Sequence, residues 1–155
     1  MGRVARHIYR CPLRWADMDS LGHVNNVTYV DYLQEARVDM LRVHAPQAGG
    51  EQLAEGTVVV RHEVEFLSPL VFRFEPVLIE SWVTRIRAAS FTMAYEILDA
   101  SPDGSRRVYT QARTVLTPYL FTEERPRRIR DEERAVLEKF LEPEEPGAPA
   151  AAVGR

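Results

Sequence analysis

One stretch of this chain, residues 26–44, carries a sustained helical period, and it limits the possible folds more than any other feature. At 100° per residue, Tyr29, Tyr32, Leu33, Ala36, Met40 and Val43 fall on one stripe about 100° wide. Asp31, Gln34, Glu35, Asp39 and Arg42 occupy the other side. Asn25 or Asn26 is a natural N-cap, because its side-chain carbonyl accepts an orphan backbone N–H. Pro46 and then Gly49-Gly50 close the segment. A lone helix of this kind must bury its stripe, so the rest of the chain has to supply the covering layer.

The rest reads as strands. Residues 4–15 form the first, and residues 57–67 alternate, with Val58, Val60, His62, Val64 and Phe66 facing one way and Arg61, Glu63 and Glu65 the other. Ser68-Pro69 interrupts that run as a bulge or turn would. Residues 76–87, 90–99 and 106–117 follow, the last after the turn Ser101-Pro102-Asp103-Gly104. A short helix is expected over 131–141, with Asp131 near its positive end. Hairpin-length links make neighbouring strands antiparallel. The expected architecture is α+β: a curved antiparallel sheet of about five strands wrapped around one long helix, in a single domain spanning 1–141. The sheet's open edges and outer face make self-association the expectation. Residues 142–155, rich in Pro, Ala, Gly and Glu, are expected to form a disordered tail.

Composition narrows the function classes. With 45% apolar and 28% charged residues the chain reads as an ordinary globular domain. A net charge of −3 argues against a general nucleic-acid binder. The single cysteine, Cys11, excludes an intrachain disulfide and reads as a buried structural thiol. Neither a signal-peptide core at the N-terminus nor a membrane-length apolar run is seen, so a cytoplasmic location without membrane attachment is expected.

The informative segment runs from Arg14 to Tyr29: Arg14-Trp15-Ala16-Asp17-Met18-Asp19-Ser20-Leu21-Gly22-His23-Val24-Asn25-Asn26-Val27-Thr28-Tyr29. Chemistry at a carbonyl requires a group that attacks the carbon or activates water. It also requires donors aimed at the oxygen that becomes negative. A carboxylate in the loop before a helix suits the first task, and unpaired N–H groups in the helix's first turn suit the second.

This segment resembles the signature of the hotdog-fold thioesterases in the 4-hydroxybenzoyl-CoA thioesterase-like family. The pattern aromatic-x-Asp-x-Asp-x-x-Gly-His-Val-Asn-Asn-x-x-Tyr is matched at every position and continues through Tyr32, Glu35, Ala36 and Arg37. The resemblance implies an acyl-CoA thioesterase with no cofactor or metal, acting on acyl-CoA or on an acyl-carrier protein. It implies a homodimer or homotetramer with each site between two subunits. It places the catalytic aspartate at Asp19, as nucleophile or general base, and the carbonyl-polarising N–H at Asn26.

Gly22 permits a tight loop and close approach of the ligand. His23 is open to three roles: orienting Asp19, contacting the thioester, or holding the loop. Asn25 and Tyr29 complete the expected substrate-binding set. Asp17 reads as structural, through an Asx-type turn or a salt bridge to Arg14. Glu35 and Arg37 read as helix-surface or subunit-contact charges, and His62 as a satisfied core histidine. Arg85, Arg87 and Ser90 are a candidate phosphate site, as is the run Arg125–Arg130, which otherwise reads as a solvated connector. Two other readings belong to the same fold. A hydratase or dehydratase would want an Asp-x-Asn-Pro-x-His-type site, which the chain lacks. A non-catalytic acyl-thioester-binding module would not need Asp19.

Overall fold

The computed structural model describes residues 5–45, 53–54 and 56–144. Along the chain come β1 (His7–Cys11), a 3-10 turn (Trp15–Asp17), α1 (Asn26–His44), β2 (Thr57–Phe66) and β3 (Val77–Ile86). They are followed by β4 (Phe91–Ala100), β5 (Arg106–Leu120), β6 (Arg125–Pro126) and α2 (Asp131–Lys139). The strands form one antiparallel sheet in the order β1-β3-β4-β5-β2, with the two-residue β6 beside β5.

The helix begins and ends where its local chemistry dictates. Asn25 is the N-cap, and its side chain accepts the N–H of Val27 at 3.0 Å. Tyr29, Tyr32, Leu33, Ala36 and Met40 are buried against the sheet's inner face. That face is built from Ile79, Ser81 and Val83 of β3, Phe91, Met93, Tyr95 and Ile97 of β4, and Ala112, Thr114 and Leu116 of β5. The stripe is displaced from its expected line at two places. Val43, expected on it, is exposed in the last turn, whereas Arg37 is buried at 8% exposure. Pro46 and Gly49-Gly50 lie outside the described residues, and Ala45 is the C-cap.

The alternation expected of β2 breaks at Val60. A β-bulge shifts the register between Val59 and Arg61, so Val59 faces Leu116 and Arg61 faces Val115. Val60 is 63% exposed as a result, and Phe66 is exposed at the other end. β2 is also an edge strand, so His62 is exposed rather than enclosed in the core, although its ring bonds Thr114 Oγ1 at 2.9 Å. After β2, the N–H groups of Leu67 and Ser68 both reach Tyr109 O, the interruption expected at Ser68-Pro69. β1 is shorter than the expected strand, because the turn at Trp15–Asp17 takes over its end.

The outer face is polar. Arg6 bridges Glu80, Glu96 and Glu142, and its guanidinium lies 3.5 Å from the centre of the Trp82 ring. Arg106 adds two more contacts, to Glu80 and Glu96. Residues 142–144, assigned to the tail by composition, are held: Glu142 N–H donates to Val83 O at 2.8 Å and Arg113 pairs with Glu144 at 2.6 Å. The remainder of that tail, 145–155, lies outside the described residues. No described helix is long and apolar enough to cross a membrane.

Candidate active site

Asp17 and Asp19 sit two residues apart in the connection between β1 and α1, with very different surroundings. Asp17 is 3% exposed and accepts the Tyr32 hydroxyl at 2.6 Å, Arg14 N–H at 3.1 Å and the Arg14 guanidinium at 2.8 Å. Burial by itself would raise its pKa, but the hydrogen bonds from Tyr32 and Arg14 outweigh it and hold the carboxyl below its ordinary value. The structural reading of Asp17 therefore holds.

Asp19 lies in a turn closed by Gly22 N–H donating to Asp19 O at 3.1 Å. Gly22 has φ +77°, a conformation that costs a residue with a Cβ, and no atom would lie within 4 Å of an added Cβ. The glycine is required by backbone geometry, and the space beside it is open. One carboxylate oxygen of Asp19, Oδ1, accepts Leu21 N–H at 2.9 Å and His23 N–H at 3.3 Å. The other, Oδ2, has no hydrogen-bond partner among the described residues, and the side chain is half-buried. An Asx-type turn thus fixes the carboxylate through one oxygen and leaves the other unpaired among the described residues.

His23 joins the loop through its backbone. Asp19 N–H donates to His23 O at 2.8 Å, and His23 forms a bridge with Val71. Its imidazole makes no hydrogen bond to Asp19. Val24 N–H donates to Leu70 O, and Asn25 N–H to Asp17 O, so the loop is pinned from both sides as it enters α1.

At the helix start, Asn25 uses its side chain on Val27 N–H and its carbonyl on Thr28 N–H. Asn26 N–H is left without an acceptor among the described residues, and Asn26 is exposed. It stands at the positive end of α1, where a developing negative charge is favoured. One turn further, Tyr29 is buried, accepts Leu70 N–H at 3.2 Å and packs on Phe66 with ring centres 5.2 Å apart. Burial raises the Tyr29 pKa, and the charge of Asp19 adds to the rise. Asp19, Gly22, His23, Asn25, Asn26 and Tyr29 therefore lie together on the loop and the first turn of α1.

Arg85, Arg87 and Ser90 do not join that site within one chain. They lie around the β3–β4 turn, at the Leu116 end of the sheet, whereas Phe66 and the Asp19 loop lie at the Thr110 end. Arg85 faces outward into a cleft of about 580 Å³ lined also by Arg61, Thr92 and Arg113. Arg87 and Ser90 close the turn through backbone, Arg87 N–H donating to Ser90 O at 2.8 Å. In the run Arg125–Arg130, Arg127 is buried against Glu133 and Arg125 pairs with Glu123. The run is therefore not the fully solvated connector its composition suggests, since Arg127 and Ile129 are buried.

Two features of the site region carry no signal in the sequence. Arg37 reads as a helix-surface or subunit-contact charge; the surface reading fails, because it is buried and donates to Tyr95 Oη at 3.3 Å. Leu70 and Val71, which hold the Asp19 loop, lie far along the chain and have no local pattern to mark them.

A curved antiparallel sheet around one helix, with an acidic loop feeding that helix's first turn, defines the class: a hotdog-fold thioester hydrolase. The chain belongs to the thioesterase-like superfamily, whose family model matches residues 13–140. Among solved structures, a Pseudomonas aeruginosa protein assigned as a thioesterase is 31% identical, with a TM-score of 0.70 over 83% of this chain and 95% of that one. A predicted thioesterase from Bacillus stearothermophilus shares the fold at 22% identity, with a TM-score of 0.75 over 91% of this chain and 100% of that one. A thioesterase from Thermus thermophilus, complexed with coenzyme A and Zn, shares it at 22% identity and a TM-score of 0.68, over 84% of this chain and 95% of that one. No curated protein matches the chain.

Proposed function

We propose that this thioester hydrolase acts on acyl-CoA, with Asp19 as nucleophile or general base and Asn26 N–H receiving the carbonyl oxygen. The observation that carries this reading is the pairing of a free carboxylate oxygen, Asp19 Oδ2, with an unsatisfied N–H at the first turn of α1. In the general-base course, Asp19 takes a proton from water while the water oxygen bonds to the acyl carbon. The oxyanion rests on Asn26 N–H. The C–S bond then breaks, and the coenzyme A sulfur leaves as thiolate and takes up a proton. In the nucleophilic course, Oδ2 itself bonds to the acyl carbon, thiolate leaves, and water hydrolyses the resulting anhydride. His23 holds the loop through its backbone, and Gly22 keeps the approach to the carbonyl open.

Coenzyme A as the carrier is supported by the Thermus thermophilus relative's complex. A homodimer through β2 supplies what one chain lacks. β2 is an edge strand exposing Val59, Val60 and Phe66. Antiparallel pairing of two such edges sets the Arg85–Ser90 end of one copy beside the Asp19 loop of the other.

Thiol release from a panel of acyl-CoAs tests the reading. Asp19→Ala should lower kcat/KM by about 10²-fold or more while the protein stays folded. A folded Asp19→Ala protein with full activity overturns the assignment.

A further inference from the structure

Two β-bulges face each other across the sheet. In β3 the register shifts between Val83 and Arg85, opposite Met93 and Thr92. In β2 it shifts between Val59 and Arg61, opposite Leu116 and Val115. Thr92 and Val115 are themselves partners, so Arg85, Thr92, Val115 and Arg61 form one row across four strands. That row lies on the outer face, since the alternate residues Met93, Thr114 and Leu116 are buried inside. Bulges re-aim side chains and gather beside functional sites. Here both leave an arginine at the same level, three strand spacings or about 14 Å apart.

Between the two arginines lies the cleft of about 580 Å³ that Arg85 faces, a size usual for small-molecule sites. Thr84, Thr92 and Val115 line it from the strands, and Pro143 and Glu144 line it from the segment after α2. Arg113, two residues from Val115 on the same face, brings the third guanidinium. The carboxylates of the cleft are Glu63 and Glu144. Arg61 pairs with Glu63, and Arg113 holds Glu144 at 2.6 Å while reaching Glu63 only at 3.9 Å. Arg85 has no carboxylate partner among the described residues. Three cations against two anions leave the cleft positive. One of those anions, Glu144, comes from outside the sheet, on a segment fastened beside β3 by Glu142 N–H donating to Val83 O.

We propose that this cleft is a second ligand site, taking a small phosphate-bearing anion of about diphosphate size. Arg61, Arg85 and Arg113 grip it, and Glu144 is the carboxylate it displaces. Guanidinium groups suit phosphate oxygens, which they bind through paired N–H donors. Thr84 and Thr92 add hydroxyl donors, and the width of the row favours a ligand longer than a single phosphate. Val115 and Pro143 give a nucleoside base an apolar surface. The cleft opens on the outer face, whereas α1, which the Asp19 loop feeds, covers the inner one. The site therefore goes beyond the thioesterase reading and does not rest on it.

Isothermal titration calorimetry of the full chain with pyrophosphate tests the site, with sulfate as the control for unspecific anion binding. Pyrophosphate should bind once per chain, about tenfold or more tighter than sulfate. Arg61→Gln should weaken it about tenfold, and the Arg61 side chain is 68% exposed, so the substitution spares the fold. Glu144→Gln should act the other way and tighten binding, because the competing carboxylate is gone. ADP identifies the source of the phosphates. Binding tighter than that of pyrophosphate makes the ligand a nucleotide, and binding no tighter makes the phosphates alone the recognised part. Absence of pyrophosphate binding, equal affinity for sulfate, or unchanged affinity in Arg61→Gln overturns the proposal. So does binding that Glu144→Gln weakens or leaves as it was. A rise in KM for acyl-CoA in Arg61→Gln, with kcat kept, assigns the cleft to the substrate's own phosphates and rejects a separate site.

Discussion

Tyr32 donates its hydroxyl to the Asp17 carboxylate at 2.6 Å, fastening the inner face of α1 to the loop that carries Asp19. The bond is charge-assisted and buried, which makes it one of the stronger contacts in the loop. Asp17 holds the loop in place, and Asp19 faces the space beside it.

Tyr32→Phe should therefore cost about 1.5–3 kcal/mol of stability at neutral pH, read by denaturant unfolding. Asp17 is held below its ordinary pKa in the folded state, so its contribution is complete above the unfolded value of about 3.9 and fades as pH falls through the lower folded value. The difference between the two proteins should shrink only below about pH 4. A difference that stays constant down to complete protonation of carboxylates contradicts the role given to Asp17.

Gly22 tests the loop without touching any side chain. Gly22→Ala places a Cβ at φ +77° in open space, so only backbone strain is added, about 1–2 kcal/mol. Gly22→Asn should be better tolerated, since asparagine enters this conformation more readily. Equal stability of the alanine variant and the unaltered protein would show that the turn relaxes freely.

Cys11 is buried, and burial, with the nearby charge of Asp17 second, pushes its thiol up to about 12. Iodoacetamide at neutral pH should leave the folded protein unlabelled and react only on unfolding, as followed by mass spectrometry. Rapid labelling of native protein would place the thiol elsewhere.

Val60→Lys puts a charge on the bulged edge of β2, where Val60 points away from the core. The variant should keep its fold by circular dichroism yet shift toward monomer in sedimentation velocity, and its thiol release should fall with it. An unchanged oligomeric state would move the contact between copies away from this edge.

What can be read from the chain alone follows the range of the interactions. The span of helix α1 is legible because its cap, which the sequence narrows to Asn25 or Asn26, and its period are local. The Asp19 loop is legible because turn chemistry is local too. Strand order is not: β1 lies beside β3, and β2 goes to the far edge beside β5, a matter of contacts between distant residues. The Val60 bulge breaks an alternation that looks regular, because the partner strand β5 sets the register. The burial of Arg37 is hidden for a related reason, since charge argues for the surface or a contact between copies unless one knows that the Tyr95 hydroxyl lies on the facing sheet. His62 is misplaced the other way, its apolar neighbours hiding the fact that its strand is an edge.

Arg6 and Glu142 stand at opposite ends of the described chain, and one guanidinium clasps them together over Trp82. The polypeptide is in effect buckled into a ring at this point. Trimming either terminus past its half of the clasp should loosen the other, and new ends opened at the exposed Asp103-Gly104 turn, with the old ones joined by a short linker, should leave the barrel-like wrap around α1 intact.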